Sequence, residues 1–128
     1  MLNNGIQAVL SSSQQIYINN LYNGELNYLF EYYHVDSYLM KDNVIVEYSG
    51  SGYDLSVRIG RETREKFEGR EKARRNYFIN RKIPVLKLVS KTDKLPDDEK
   101  LLEILSKAKE LFSQGVLYYC VDLDTLKK

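Results

Sequence analysis

Between Glu25 and Tyr48 the pattern is that of β-strands in three successive runs, and few architectures accept it. Tyr28, Phe30 and Tyr32 alternate with Leu29 and Glu31, and Val35, Ser37 and Leu39 alternate with His34, Asp36 and Tyr38. Val44-Ile45-Val46 is a β-branched run of the kind a buried strand uses. The polar break Lys41-Asp42-Asn43 joins the last two runs as a hairpin. Three consecutive strands demand a sheet, and the rest of the chain must cover it.

The flanking segments supply the cover. Ser11, Ser12 and Ser13 offer caps for a helix whose apolar face is Ile16, Ile18, Leu21 and Tyr22, ended by Asn23-Gly24. Ser49-Gly50-Ser51-Gly52 forms a flexible corner after the third strand. A long helix is predicted from about Arg61 to Arg81, rich in good helix formers and packed through Phe67, Tyr77, Phe78 and Ile79. Residues 84–89 read as a strand, and 93–98 as a loop containing Pro96. Asp97, Asp98 and Glu99 open a second helix with the favourable dipole sign. Its apolar face includes Leu101, Ile104, Leu105, Ala108 and Phe112, and Gly115 closes it. Residues 116–123 form a last, edge strand in which Cys120 packs. The order α-β-β-β-α-β-α-β predicts an α/β fold, a mixed sheet with helices on its faces, in one domain spanning residues 1–128. The first ten residues lack periodicity.

Several classes fall away. The chain has no run of about 18 apolar residues, so a transmembrane helix is not expected, and the start lacks the pattern of a secretory signal. One cysteine and one histidine, Cys120 and His34, leave no internal disulfide and no Cys/His zinc site. A reducing, cytoplasmic setting is expected.

The net charge of +1 hides a segregation. Residues 1–57 hold one basic residue against six acids, an excess of five negative charges. Residues 58–91 hold twelve Lys/Arg against four acids, an excess of eight positive charges. Carboxylates hold divalent metal and basic segments hold phosphate. Equally, such segregation can close on itself as intrachain ion pairs.

Asp36 and Glu47 stand eleven apart on adjacent predicted strands. A loop of two or four residues pairs them directly, with Cβ atoms roughly 5 Å apart, and a three-residue loop puts them on opposite faces. Two carboxylates at that spacing repel unless a cation lies between them or one is protonated. Mg²⁺ is held by one or two carboxylates plus waters and phosphate oxygens, and stabilises the transition state of phosphodiester hydrolysis. Asp54, after the glycine corner, can return a third metal-binding carboxylate, with Tyr53 beside it, and Glu25 a fourth acid. The bland reading makes Glu25 and Asp54 loop acids and Tyr53 a packing aromatic. His34 lies two residues before Asp36, on the same face of a regular strand, where it can act as a base or only bond locally.

These residues resemble a family. Gly24-Glu25-Leu26-Asn27-Tyr28, Val35-Asp36 and the stretch from Val44 through Glu47 to Tyr53-Asp54 are similar to the very-short-patch-repair-like endonucleases of the PD-(D/E)xK, restriction-endonuclease-like superfamily. The nearest branch is the homing endonucleases with a Glu-Asp-x-His-Asp motif. The resemblance covers about residues 11–122. It implies Glu25 as the motif Glu, Asp36 as the first Asp, Glu47 as the strand acid, Asp54 as the final Asp, and Tyr53 where His is expected. Glu71 and Arg74 resemble the helix that follows. The superfamily lysine is absent, since Ser49 follows Glu47-Tyr48. The implied function is a Mg²⁺- or Mn²⁺-dependent endonuclease acting on double-stranded DNA, bacterial or phage-encoded, with Arg61, Arg64, Arg70, Arg74 and Arg75 contacting phosphates. Relatives often add a separate DNA-recognition module, and double-strand cleavage needs a second copy or sequential nicks. The rivals are a nuclease fold that binds without cutting, and a protein-interaction domain whose basic helix docks an acidic partner.

A phenol is a poor base near pH 7, where imidazole is a good one. Cleavage is therefore expected to be slow and to quicken toward alkaline pH. Tyr53→His should raise the rate near neutrality more than at alkaline pH, by up to the roughly 10²–10⁴-fold that acid–base help supplies. Equal rates for the two proteins across that range would show that this position carries no proton.

Overall fold

The computed structural model describes residues 12–126. Among these residues four α-helices, α1 to α4, accompany five strands. In order they are α1 (Ser13–Tyr22), β1 (Glu25–Phe30), β2 (Tyr33–Leu39), β3 (Val44–Ser49), α2 (Leu55–Arg58), α3 (Arg64–Asn80), β4 (Val85–Val89), α4 (Asp98–Ser113) and β5 (Tyr118–Asp122), with a 3₁₀ turn at Leu123–Thr125. The strands lie side by side in sequence order. β1, β2 and β3 run antiparallel, and β3, β4 and β5 run parallel. The chain is an α/β protein with a five-stranded mixed sheet and flanking helices, as the patterning predicts.

Local chemistry sets the helix ends. Ser12, the middle serine of the triplet, caps α1 in a reciprocal box with Gln15, and Asn23 closes the helix at φ +60°. Ser11 lies outside the described residues. Asp97 caps α4 by accepting the Lys100 N–H. Thr63 caps α3 and accepts the Lys66 N–H, so that helix starts three residues later than expected. The short α2 was not legible in the sequence.

Period-two alternation through β3 and β4 divides the core. Val44, Val46, Tyr48, Leu86 and Leu88 face α1 and α4, meeting Ile18, Tyr22, Leu101, Ile104, Leu105 and Ala108. Ile45 and Val85 face α3 and meet Phe78, with Val35 completing that smaller cluster. Glu47 and Lys87 fall in the same phase as Ile45 and Val85, and they are register partners across the β3–β4 pair. No helix among the described residues is long and apolar enough to cross a membrane.

Three expectations are corrected. Tyr32 lies with Glu31 in the turn between β1 and β2, rather than in a strand. Cys120 is exposed, not packed. The glycine corner is tied down: a Cβ on Gly50 would stand 2.1 Å from Asp93 Oδ1, and Asp93 accepts hydrogen bonds from Tyr48 Oη and the Ser51 N–H.

Phe78 is 2% exposed and anchors α3 to the sheet. Phe78→Ala should cost about 3–5 kcal/mol, read as a fall in the denaturation midpoint. A loss under about 1 kcal/mol would mean that α3 is held by its ion pairs instead.

Candidate functional site

The loop between β2 and β3 is the four residues 40–43, one of the two lengths that pair Asp36 with Glu47. The ladder pairs Leu39 with Val44, Tyr38 with Ile45 and Ser37 with Val46, so Asp36 and Glu47 are next in line. At that step the strands part. The Tyr48 N–H donates to Asp36 Oδ2 at 2.7 Å, and the Asp36 N–H donates to Glu47 Oε2 at 3.2 Å. Two carboxylates thus take over the ladder's bonds. On the other side, β1 pairs Leu26 with Ser37 and Tyr28 with Val35, and Asn27 between them takes φ +54°. The alternation of β2 changes phase here: Tyr33 and Val35 pack in the cluster facing α3, whereas Leu39 packs toward α1 and α4 and Ser37 bonds Asn19 of α1.

The charges around this break are compensated from α3 and β4. Arg74 Nη2 donates to Glu47 Oε2 at 2.8 Å and to the His34 carbonyl at 2.5 Å. The pair is well covered, with Glu47 13% and Arg74 24% exposed. Burial, and then the Glu47 charge, push the Asp36 carboxyl up to about 7, against the pull of the Tyr48 N–H, Arg74 and Lys87. Burial works against the charge on Arg74, and Glu47 outweighs it, so the guanidinium holds its proton more firmly. Asp36 Oδ2 and Glu47 Oε2 are the oxygens that take these bonds. Two adjacent carboxylates suit a hard divalent cation that completes its shell with water and phosphate oxygens. Beside them a cavity of about 40 Å³, room for a water or two, is lined by Glu47, Tyr53, Glu71, Arg74, Arg75 and Lys87 among others.

Lys87 was missed by the sequence reading, because nothing in Val85-Leu86-Lys87-Leu88-Val89 marks it beyond being the one charge in an apolar strand. Its register opposite Glu47 is the signal, and it depends on a parallel pairing that no local pattern encodes. Lys87 Nζ also sits 4.6 Å from the centre of the Tyr53 ring.

The other expected site residues separate. Asp54 does not join Asp36 and Glu47; its oxygens are held by Arg58 at 2.9 Å and Arg64 at 2.8 Å. Those two bonds, Arg64's first, hold its carboxyl below the usual range. Among the described residues no three His, Cys, Asp or Glu side chains cluster around a possible metal position. The expected third metal ligand is therefore turned elsewhere by α2, whose first turn draws Asp54 to Arg58. Glu25 is exposed at the start of β1, level with Tyr38. His34 is exposed and contributes its carbonyl rather than its ring, because β2 is irregular at Asp36. Tyr53 donates to Glu71 at 3.1 Å and meets the Phe67 ring edge-on. Burial, and then Glu71, push its phenol further from neutrality.

The five arginines also differ. Arg70 grips Glu62 with both terminal nitrogens, at 2.6 and 2.9 Å, and Arg64 grips Asp54. Arg75 stacks over Tyr118 and lines the cavity. Arg61 is exposed just before α3. Comparison with family models, with curated proteins and with solved structures returns no match for this chain.

The raised Asp36 carboxyl has a definite thermodynamic sign. The folded chain binds that proton more tightly than the unfolded chain, so this group's contribution to stability falls as pH rises from about 4 to about 7. Asp36→Asn keeps an acceptor for the Tyr48 N–H and removes the charge. Its stability relative to the native protein should therefore improve across that interval and level off above it. A difference independent of pH would contradict the buried, charge-crowded setting.

Proposed function

We propose that this chain is a divalent-metal-dependent nuclease domain that hydrolyses phosphodiester bonds in DNA, on a restriction-endonuclease-like version of its mixed sheet. One observation carries the reading: two adjacent carboxylates replace the ladder where β2 leaves β3, beside the cationic side chains of Lys87 and Arg75. Asp36 and Glu47 would hold Mg²⁺ or Mn²⁺, with Asp54 no longer among the ligands. Such an ion supplies Lewis-acid stabilisation of the charge on the phosphoryl oxygens and a lowered pKa for water. Arg74 fixes Glu47 through Oε2. Lys87 and Arg75 face the same cavity as Glu47 and can bind phosphate oxygens there. Tyr53, bonded to Glu71, serves as a wall of that cavity rather than as a base.

A second reading, a nuclease fold that binds nucleic acid without cutting it, is favoured by Arg74, which already gives Glu47 a cation. Incubating supercoiled plasmid with the protein and Mg²⁺ or Mn²⁺ separates the two. Nicking that falls by about a hundredfold or more in Asp36→Ala supports the nuclease. Plasmid left intact by a protein that still binds it supports the second reading.

Backbone binding has its own test. Affinity for duplex DNA should fall with salt at a log–log slope of about −0.9 per phosphate contacted. Lys66 and Lys72 are exposed on α3, and Lys72→Glu should weaken all sequences alike. Arg74→Glu is unsuited to that purpose, because it would set a third acid against Glu47. Binding that ignores salt would reject the phosphate reading of the basic segment.

A further inference from the structure

The β1–β2 turn carries an aromatic ring that the core does not use. Turns of two residues favour Asn-Gly, Asp-Gly or a leading glycine, because the first position needs positive φ. Here the two residues are Glu31 and Tyr32, and Glu31 takes φ +42°. Tyr32 is 80% exposed. It heads a row of rings: Tyr32 lies 6.2 Å from Tyr77, and Tyr77 lies 4.9 Å from Tyr33, both edge to face. A guanidinium covers each of the inner rings, Arg81 at 3.7 Å from the Tyr77 centre and Arg74 at 5.5 Å from that of Tyr33. Arg74 is the residue that grips Glu47. The row therefore leads from the turn to the acid pair, and Tyr33 lies about 10 Å along β2 from Asp36.

The electrostatics favour an anionic guest. The one acid at the turn, Glu31, is bound by Arg81 at 3.0 Å and by the Tyr77 hydroxyl. Arg81 and Lys82 lie exposed at the end of α3, within the segment that carries eight excess positive charges. An exposed tyrosine beside guanidinium groups and a phosphate-binding surface is what an unpaired base needs. A duplex has its base faces already stacked, so only unpaired nucleotides gain from such a ring.

We propose that Tyr32, with Tyr77 and Arg81 behind it, is a stacking platform for single-stranded DNA, and that the strand reaching Asp36 and Glu47 is unpaired where it crosses the β1–β2 turn. The role of the acid pair in this proposal rests on the nuclease reading; the platform itself does not. The substrate class that follows is DNA with a single-stranded stretch, such as a splayed end or a flap, in preference to a continuous duplex.

Anisotropy of a labelled oligothymidylate and of a blunt duplex, at one low salt concentration, tests it. Tyr32→Ala should weaken single-strand binding by about fivefold or more and leave duplex binding unchanged, while Tyr32→Phe should bind like the native chain. The chain has no tryptophan, so Tyr32→Trp provides a single indole, whose fluorescence the single strand should quench and the duplex should not. Single-strand affinity untouched by Tyr32→Ala, an equal loss for the duplex, or an unquenched indole would overturn the proposal. Failure of the nuclease reading looks different: no nicking by the native protein, with the Tyr32 effects on binding intact.

Discussion

The contact between Asp36 and Glu47 governs this molecule. Two carboxylates crowded together in a partly buried site disfavour each other's charge, and burial adds to that cost. The fold answers in three ways. Asp36 is placed to accept the Tyr48 N–H, Glu47 is gripped by Arg74, and Lys87 stands opposite Glu47 on the next strand. Each answer draws on a different element, so the break in the β2–β3 ladder, the seating of α3 and the parallel pairing of β4 are coupled through one pair of acids. Crowding carboxylates in this way is poor economy for a purely structural site, where an apolar pair would be as stable. That cost is the physical ground for reading function into the position.

Charge segregation along the chain has a related origin. Arg58 and Arg64 pair with Asp54, Arg74 with Glu47, and Arg81 with Glu31. The acidic front half and the basic α3 region thus meet across the fold, and part of the excess is spent internally. The bland reading of the charge pattern holds for these residues. Arg61, Lys66, Lys72 and Lys82 are exposed, and they define the surface on which a phosphate backbone would lie in the proposed function.

The fold was legible wherever one local signal decided the matter. β-branched Val44-Ile45-Val46, the Ser12 box, the Asn23 exit and the Asp97 cap each act within a few residues, and each appears as the patterns predict. The Asp36–Glu47 pairing was legible as a conditional statement about loop length, which the four-residue loop resolves. What escaped was nonlocal or conformationally costly. A turn made of Glu31-Tyr32 carries no glycine or asparagine to announce it, so Tyr32 looked like strand. Asp54 looked like a returning ligand because the sequence shows its distance from Glu47 and not the one turn of α2 that gives it to Arg58. Lys87 became visible only when β4 paired with β3. His34 kept its place in β2, but the phase change at Asp36 separated its ring from the acids.

The most direct measurement on the central claim is calorimetric titration of Mn²⁺ into the native protein and into Asp36→Asn, repeated near pH 6 in buffers of different ionisation heat. A carboxyl pushed up to about 7 must lose its proton to take a cation. Expected is binding at one site, with about one proton released per ion and affinity rising with pH, all lost in Asp36→Asn. Binding that is absent from the native protein, or that survives unchanged in Asp36→Asn without proton release, would contradict a cation site at Asp36 and Glu47.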